Sequence, residues 1–149
     1  MHWRHAAAYI TILLVGSLGF ANADDTRLPD ELKITPPDSS IPPEVAAFSG
    51  KWVGSWEDRL HSILVVQKIH PPDAKGAFKV EAIYSRGVHS PWFITTPGFR
   101  DVQGEIKDGQ LTLWLGRANA YYRVSSPSTL QGEWHSGAVY KGTFQKATE

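Results

Sequence analysis

Apolar and polar residues alternate along most of the chain after residue 48, and turn residues interrupt the alternation at short intervals. A period of two is typical of β-strands with one buried face. No stretch of helical length shows the i, i+3, i+4 apolar pattern without a glycine or proline interruption. The pattern predicts eight strands, at about residues 50–57, 59–70, 77–86, 98–107, 110–117, 119–125, 129–136 and 138–146.

The connections between these strands are short and contain turn residues, as in Asp108-Gly109 and Ser136-Gly137. Neighbouring strands should therefore pair antiparallel. A flat sheet would leave two unpaired edges, and its single dry face could not bury the five tryptophans that follow residue 48. We predict an all-β fold, a single antiparallel up-and-down β-barrel of about eight strands, with a two-sheet β-sandwich as the alternative.

Residues two positions apart on a strand lie on the same face, which we call sharing parity, and the apolar set of each strand predicts its inward face. Examples are Trp52 with Trp56, and Leu111 with Leu113 and Leu115. Glycines next to aromatic residues, as in Gly132-Glu133-Trp134, suit a tightly curved wall around an aromatic interior. The second strand is apolar on both faces over residues 63–66. We therefore expect the N-terminal arm or another subunit to cover its outer side.

The N-terminus has the pattern of an export signal. Arg4 precedes an uncharged run over residues 6–20, and Ala21-Asn22-Ala23 resembles a cleavage site. The run is shorter than the ~20 residues that a membrane-spanning helix needs. We predict a signal peptide at residues 1–23, and hence a periplasmic or secreted protein with no membrane attachment after cleavage.

Residues 24–47 hold half of the prolines in the chain and few large apolar residues. We interpret them as a proline-rich N-terminal arm in extended conformation, exposed to solvent. The alternative is a spacer or a strand that docks on a partner. The β-barrel domain then covers residues 48–149.

Composition narrows the function classes. After residue 23 the chain has 14 basic and 15 acidic residues, a formal charge of −1. No basic stripe indicates nucleic-acid binding. The absence of cysteine excludes disulfides and thiolate chemistry.

The start Phe48-Ser49-Gly50-Lys51-Trp52 and the closing hairpin from Leu130 to Phe144 resemble the calycin barrels, the lipocalin-like and avidin-like group. This resemblance spans about residues 48–146 and implies a closed barrel, commonly with an internal small-molecule site. The second lipocalin motif and the residues by which avidins hold biotin are not found, so biotin binding is not implied.

The sequence offers no catalytic or metal motif: the histidines lack metal spacing, and no nucleophile elbow is present. We expect no cofactor. Two features point instead to binding. Arg100 shares parity with inward residues of its strand, so its guanidinium should be buried against a ligand acid, an internal acid or backbone carbonyls. The long connection at residues 86–97 carries Trp92, Phe93 and Ile94, which could form a lid, a partner surface or a plug.

The leading hypothesis is a noncatalytic protein that binds a small apolar or aromatic molecule. The candidate ligand-binding residues are Trp56, Tyr84, Trp92, Arg100, Tyr122 and Trp134. The alternative is a protein-interaction module, such as an inhibitor or accessory subunit of an envelope enzyme. A hydrolase or isomerase is the third reading.

Overall fold

The computed structural model describes residues 25–148, so the predicted signal peptide at 1–23 lies outside the described residues. A short helix, α1 (Pro43–Ala46), precedes eight strands. These are β1 (Gly50–Trp56), β2 (Leu60–Pro72), β3 (Phe78–Arg86), β4 (Gly98–Lys107), β5 (Gln110–Trp114), β6 (Asn119–Ser126), β7 (Thr129–His135) and β8 (Val139–Lys146). Each strand pairs antiparallel with the next, and β8 pairs with β1 to close the barrel. The predicted fold class is confirmed, and the sandwich alternative is wrong.

Predicted and observed strand ends agree to within three residues. The largest difference is at the end of β5, which stops at Trp114. There the Leu115 amide donates to the Ala118 carbonyl, and Gly116 adopts φ +80°. This left-handed conformation is open to glycine at little cost, so the chain turns earlier than the apolar alternation indicates.

The inward faces form one aromatic and aliphatic core. The predicted inward residues Trp52, Leu111 and Leu113 are completely buried, and so is Phe144. Side chains from all eight strands contribute to this core. The parity prediction is therefore confirmed, and most of the barrel interior is filled.

The helix α1 closes one end of the barrel, which we call the base. Ile41, Val45 and Phe48 pack into the core from this end, and the Trp52 indole nitrogen donates to the Phe48 carbonyl at 2.9 Å. A helix of one turn is too short to show periodicity, and so the sequence pattern did not reveal it. Within residues 25–148, no helix has the length and apolar character needed to cross a bilayer.

The N-terminal arm is exposed only in part, and it provides the cover that the second strand was expected to need. Residues 25–35, which we call the strap, run along the outer side of β2 and β3. Leu28, Leu32 and Ile34 pack against a second apolar cluster formed by Ile63, Val65 and Ile83. The Thr35 amide also donates to the Gln67 carbonyl at 2.8 Å. The strap therefore covers the outer side of a strand that is apolar on both faces.

Candidate functional site

The end of the barrel opposite the base, which we call the mouth, contains a hollow of about 310 Å³. The ends of β1, β3 and β7, the starts of β2 and β8, and the β3–β4 connection surround it. Its lining is mainly aromatic and consists of Trp56, Leu60, Tyr84, Arg86, Trp92, Ile94, Trp134, Ser136 and Tyr140. A larger groove of about 900 Å³ lies between the arm and the C-terminal residues near the base, but no aromatic side chain lines it.

Trp56 is the floor of the hollow. Its ring lies 5.1 Å from the Phe144 ring and 5.9 Å from the Tyr122 ring. Gly132 and Gly142 make room for it, because a Cβ on either would stand 3.0 Å from the indole. The glycines therefore let the Trp56 indole pack closely against the backbone of the barrel wall. Below Trp56 the barrel is filled, and above it the barrel is open.

Aromatic side chains also form the walls. Trp134 lies 5.9 Å from Trp56 and 5.4 Å from Tyr84, measured between ring centroids. On another side, Trp92 packs 5.1 Å from Tyr140. These rings approach one another edge-on or tilted, which is the favoured geometry for aromatic pairs. A flat apolar ligand would meet ring surface on several sides.

The connection at residues 87–97, which we call the lid loop, lies over this hollow. A 3₁₀ turn at Ser90–Trp92 and paired backbone bonds between His89 and Ile94 shape it. Trp92 and Ile94 turn inward and line the hollow, whereas Phe93, with φ +59°, is 92% exposed. Of the three large apolar residues in the loop, two belong to the hollow and one to the outer surface.

The strap holds the first residues of the lid loop. A carboxylate oxygen of Asp25 accepts a hydrogen bond from the Val88 amide at 2.9 Å. The neighbouring Gly87 is buried, and a Cβ there would stand 2.3 Å from the same carboxylate oxygen. The start of the chain's described part is thus connected to the mouth of the barrel.

Two tyrosines lie at and below the floor. The Trp56 indole nitrogen donates to the Tyr84 hydroxyl at 3.0 Å. Burial raises the pKa of Tyr84, although hydrogen bonds with Ser62 and Trp56 oppose the effect. Burial also raises the pKa of Tyr122 well above the ordinary tyrosine value, and its hydroxyl has no partner among residues 25–148. Both phenols therefore stay protonated at neutral pH.

Arg100 is exposed, so the expected burial of its guanidinium is wrong. It does lie on the inward-facing side of β4, where it pairs with Tyr84, and it donates to the Leu115 carbonyl at 2.8 Å. This position is at the rim, where the barrel is open to solvent. A charged side chain can face inward there without losing its hydration.

A second hollow of about 350 Å³ adjoins the first and shares Tyr84, Arg86 and Trp134 with it. Arg100 lines this second hollow, together with Gly98 and Phe99. Arg86 was not among the residues predicted from the sequence. Its parity with Tyr84, two positions earlier on the same strand, is the signal that could have identified it.

The structure brings four of the six predicted ligand-binding residues together around the first hollow: Trp56, Tyr84, Trp92 and Trp134. Arg100 stands beside it, and Tyr122 is completely buried below the floor. Tyr140 also lines the hollow. Its inward parity is visible in the sequence, although it was not chosen as a site residue.

No protein-family model matches the chain, and comparison with curated proteins finds no match either. Within residues 25–148, no group of histidines and acids is arranged to hold a metal ion. The geometry of the mouth is therefore the main guide to what the protein does.

Proposed function

We propose that this chain is a noncatalytic binding protein that holds a small apolar or aromatic molecule in the mouth of a calycin-like barrel. The observation that carries this proposal is the aromatic hollow of about 310 Å³. Ligand sites are typically concave and lined by apolar and aromatic side chains, with few polar groups. Indole and phenol rings bind through surface contact, and this hollow presents them on its floor and walls.

The compartment is part of the proposal. The charged start, apolar run and Ala21-Asn22-Ala23 site support export to the periplasm or the medium. Fractionation of the source cells, followed by mass determination of the intact chain, tests this point. A chain beginning at Asp24 in the exported fraction is expected. Full-length chain in the cytoplasm would contradict it.

The main experiment is native mass spectrometry of the protein purified from its own envelope fraction, compared with the same sample after denaturation. A ligand held in the hollow adds mass to the native protein, and this mass is lost on unfolding. A bare native mass across several preparations would argue against a resident ligand. Trp134→Ala removes one wall of the hollow and leaves the base unchanged, so the added mass should be absent from this variant.

A protein-interaction module is the second candidate, and the exposed residue Phe93 favours it. Groups of exposed apolar side chains, rather than single ones, mark interaction surfaces. Val139, 52% exposed at the start of β8, adds a second apolar side chain at the mouth end. The partner would be an envelope enzyme or another exported protein. A retained protein chain in the native spectrum, lost in Phe93→Ser, is the expected result for this candidate.

A further inference from the structure

Two arginines stand at the mouth on the same inner face of the barrel. In the β3–β4 register Arg100 pairs with Tyr84, and Arg86 pairs with Gly98. The two arginines are therefore diagonal neighbours, with Cα atoms about 7 Å apart. Tyr84 and Arg86 line both hollows, and Arg100 lines the second one. The two guanidinium groups thus flank the aromatic site itself.

The hydrogen bonds of both arginines leave most of their donors free. Arg86 donates to the Thr96 carbonyl at 3.4 Å, and Arg100 to the Leu115 carbonyl at 2.8 Å. A guanidinium has five N–H donors in a planar fork. Both acceptors are neutral, no ion pair within residues 25–148 involves either arginine, and no acid of that range lines either hollow. Two neighbouring guanidinium groups with free N–H donors can both donate to one anion.

We propose that the mouth binds an aromatic carboxylic acid, with its ring in the hollow above Trp56 and its carboxylate held by Arg86 and Arg100. This inference rests on the proposed function, because it specifies the ligand of the same hollow. Arginine matches the two oxygens of a carboxylate through paired hydrogen bonds. Because the acid group stays at the open rim, it keeps part of its hydration and its burial costs little.

The volume limits the size of the ring system. A protein cavity of about 150 Å³ holds one benzene molecule. The hollow of about 310 Å³ is therefore suited to one or two fused rings. An aromatic cage can also attract a quaternary ammonium ion through cation–π interactions. Here the two arginines repel such a cation, so the anion is favoured.

The test uses three probes with the same ring: 2-naphthoate, the neutral 2-naphthalenemethanol, and a trimethylammonium derivative of 2-methylnaphthalene. Isothermal titration calorimetry at low salt measures each dissociation constant on the protein as processed and purified from the cell. We expect the acid to bind about ten-fold more tightly than the alcohol, since hydrogen bonds to charged groups are the stronger ones but solvent screens them at the rim. The ammonium probe should bind most weakly.

Variants separate the two parts of the proposal. Arg86→Met and Arg100→Met should each raise the dissociation constant of 2-naphthoate about ten-fold. Each should change that of 2-naphthalenemethanol less than about two-fold. Arg123→Met is the matched control, because Arg123 bonds to Gln110 and Asp108 on the outer surface at the base end. Arg123→Met should leave the dissociation constant of 2-naphthoate unchanged. Circular dichroism of each variant checks that the barrel is folded.

Three results would overturn the inference, and they differ in what else they overturn. Equal binding of acid and alcohol rejects the carboxylate but leaves the aromatic site in place. Tightest binding of the ammonium probe replaces the anion site with a cation cage. Failure of all three probes to bind at about 1 mM, the weakest affinity of interest, rejects the proposed function together with the inference.

Discussion

At the scale of single residues, the two buried tyrosines differ in a way that stability measurements can detect. Tyr84 accepts a hydrogen bond from the Trp56 indole, whereas the Tyr122 hydroxyl is buried without a partner among residues 25–148. A buried polar group without a partner lowers stability, and a buried donor that loses its acceptor has the same effect. The Tyr84 hydroxyl should therefore raise the free energy of unfolding, and the Tyr122 hydroxyl should lower it.

Tyr122→Phe should leave the free energy of unfolding unchanged or raise it by up to about 1 kcal/mol, because it removes the unpaired hydroxyl. Tyr84→Phe should lower it by about 1–2 kcal/mol, because the Trp56 N–H loses its acceptor. Urea denaturation followed by tryptophan fluorescence measures both. Loss of more than about 1 kcal/mol in Tyr122→Phe would mean that this hydroxyl has a partner, such as a buried water.

The same tyrosines predict a loss of stability at alkaline pH. Burial raises the pKa of Tyr84 and of Tyr122 in the folded protein, so the unfolded chain releases their protons first. The free energy of unfolding is therefore unaffected by these two groups below the unfolded pKa of about 10. It falls as the pH rises above this value. Each tyrosine contributes a slope of about 1.4 kcal/mol per pH unit. Denaturation between pH 9 and 11 should show a smaller slope in Tyr122→Phe than in the wild type.

At the scale of elements, the lid loop depends on a contact with a segment distant in sequence. Asp25 in the strap accepts the hydrogen bond of the Val88 amide, and Gly87 leaves room for this carboxylate. Nothing in the spacing of residues 86–97 indicates this contact, since it joins positions 63 residues apart. The strap therefore holds the first residues of the loop that carries Trp92.

Gly87→Ala should detach the strap from the lid loop, because the added Cβ would overlap the Asp25 carboxylate. Gly98→Ala is the matched control at the other end of the loop, where a Cβ meets nothing within 4 Å. Hydrogen exchange measured by mass spectrometry should show faster exchange over residues 87–94 in Gly87→Ala only. Equal exchange in the two variants would contradict a role for Asp25 in holding the loop.

At the scale of the whole molecule, the strap completes the fold by covering a second apolar cluster outside the barrel. Ile63, Val65 and Ile83 point away from the main core and are buried by Leu28, Leu32 and Ile34. The sequence indicates the need for a cover, because residues 63–66 are apolar on both faces. The choice between the arm and another subunit was open until the structure showed the strap in place.

Replacing Leu28, Leu32 and Ile34 together by serine should lower the free energy of unfolding by about 3 kcal/mol or more, given about 1 kcal/mol for each partly buried side chain. The matched control replaces the exposed residues Asp30, Glu31 and Lys33 by serine. Thermal and urea unfolding should show a large loss for the first triple variant and little change for the second. Similar small losses in both would mean that the strap contributes little to stability.

Local rules account for the barrel and only part of the site. Alternation and turn residues located the strands, and parity placed Trp56, Tyr84 and Trp134 on the inner face. Parity also placed Arg100 inward, but it could not show how far along the barrel axis this residue lies. Burial depends on this position along the axis, because the rim is exposed to solvent and the floor is buried. The same holds for Tyr122, which is completely buried and lines neither hollow.

The sequence by itself determined the eight antiparallel strands, their inward faces and the aromatic character of the interior. These follow from contacts between near neighbours: a side-chain period of two, turn chemistry and hairpin pairing. Only the tertiary structure decided that the strap covers β2, that the barrel is filled below Trp56 and open above it, and that Arg86 and Arg100 flank the opening. The physical reason is that these features depend on packing between segments far apart in the chain, which no local pattern encodes.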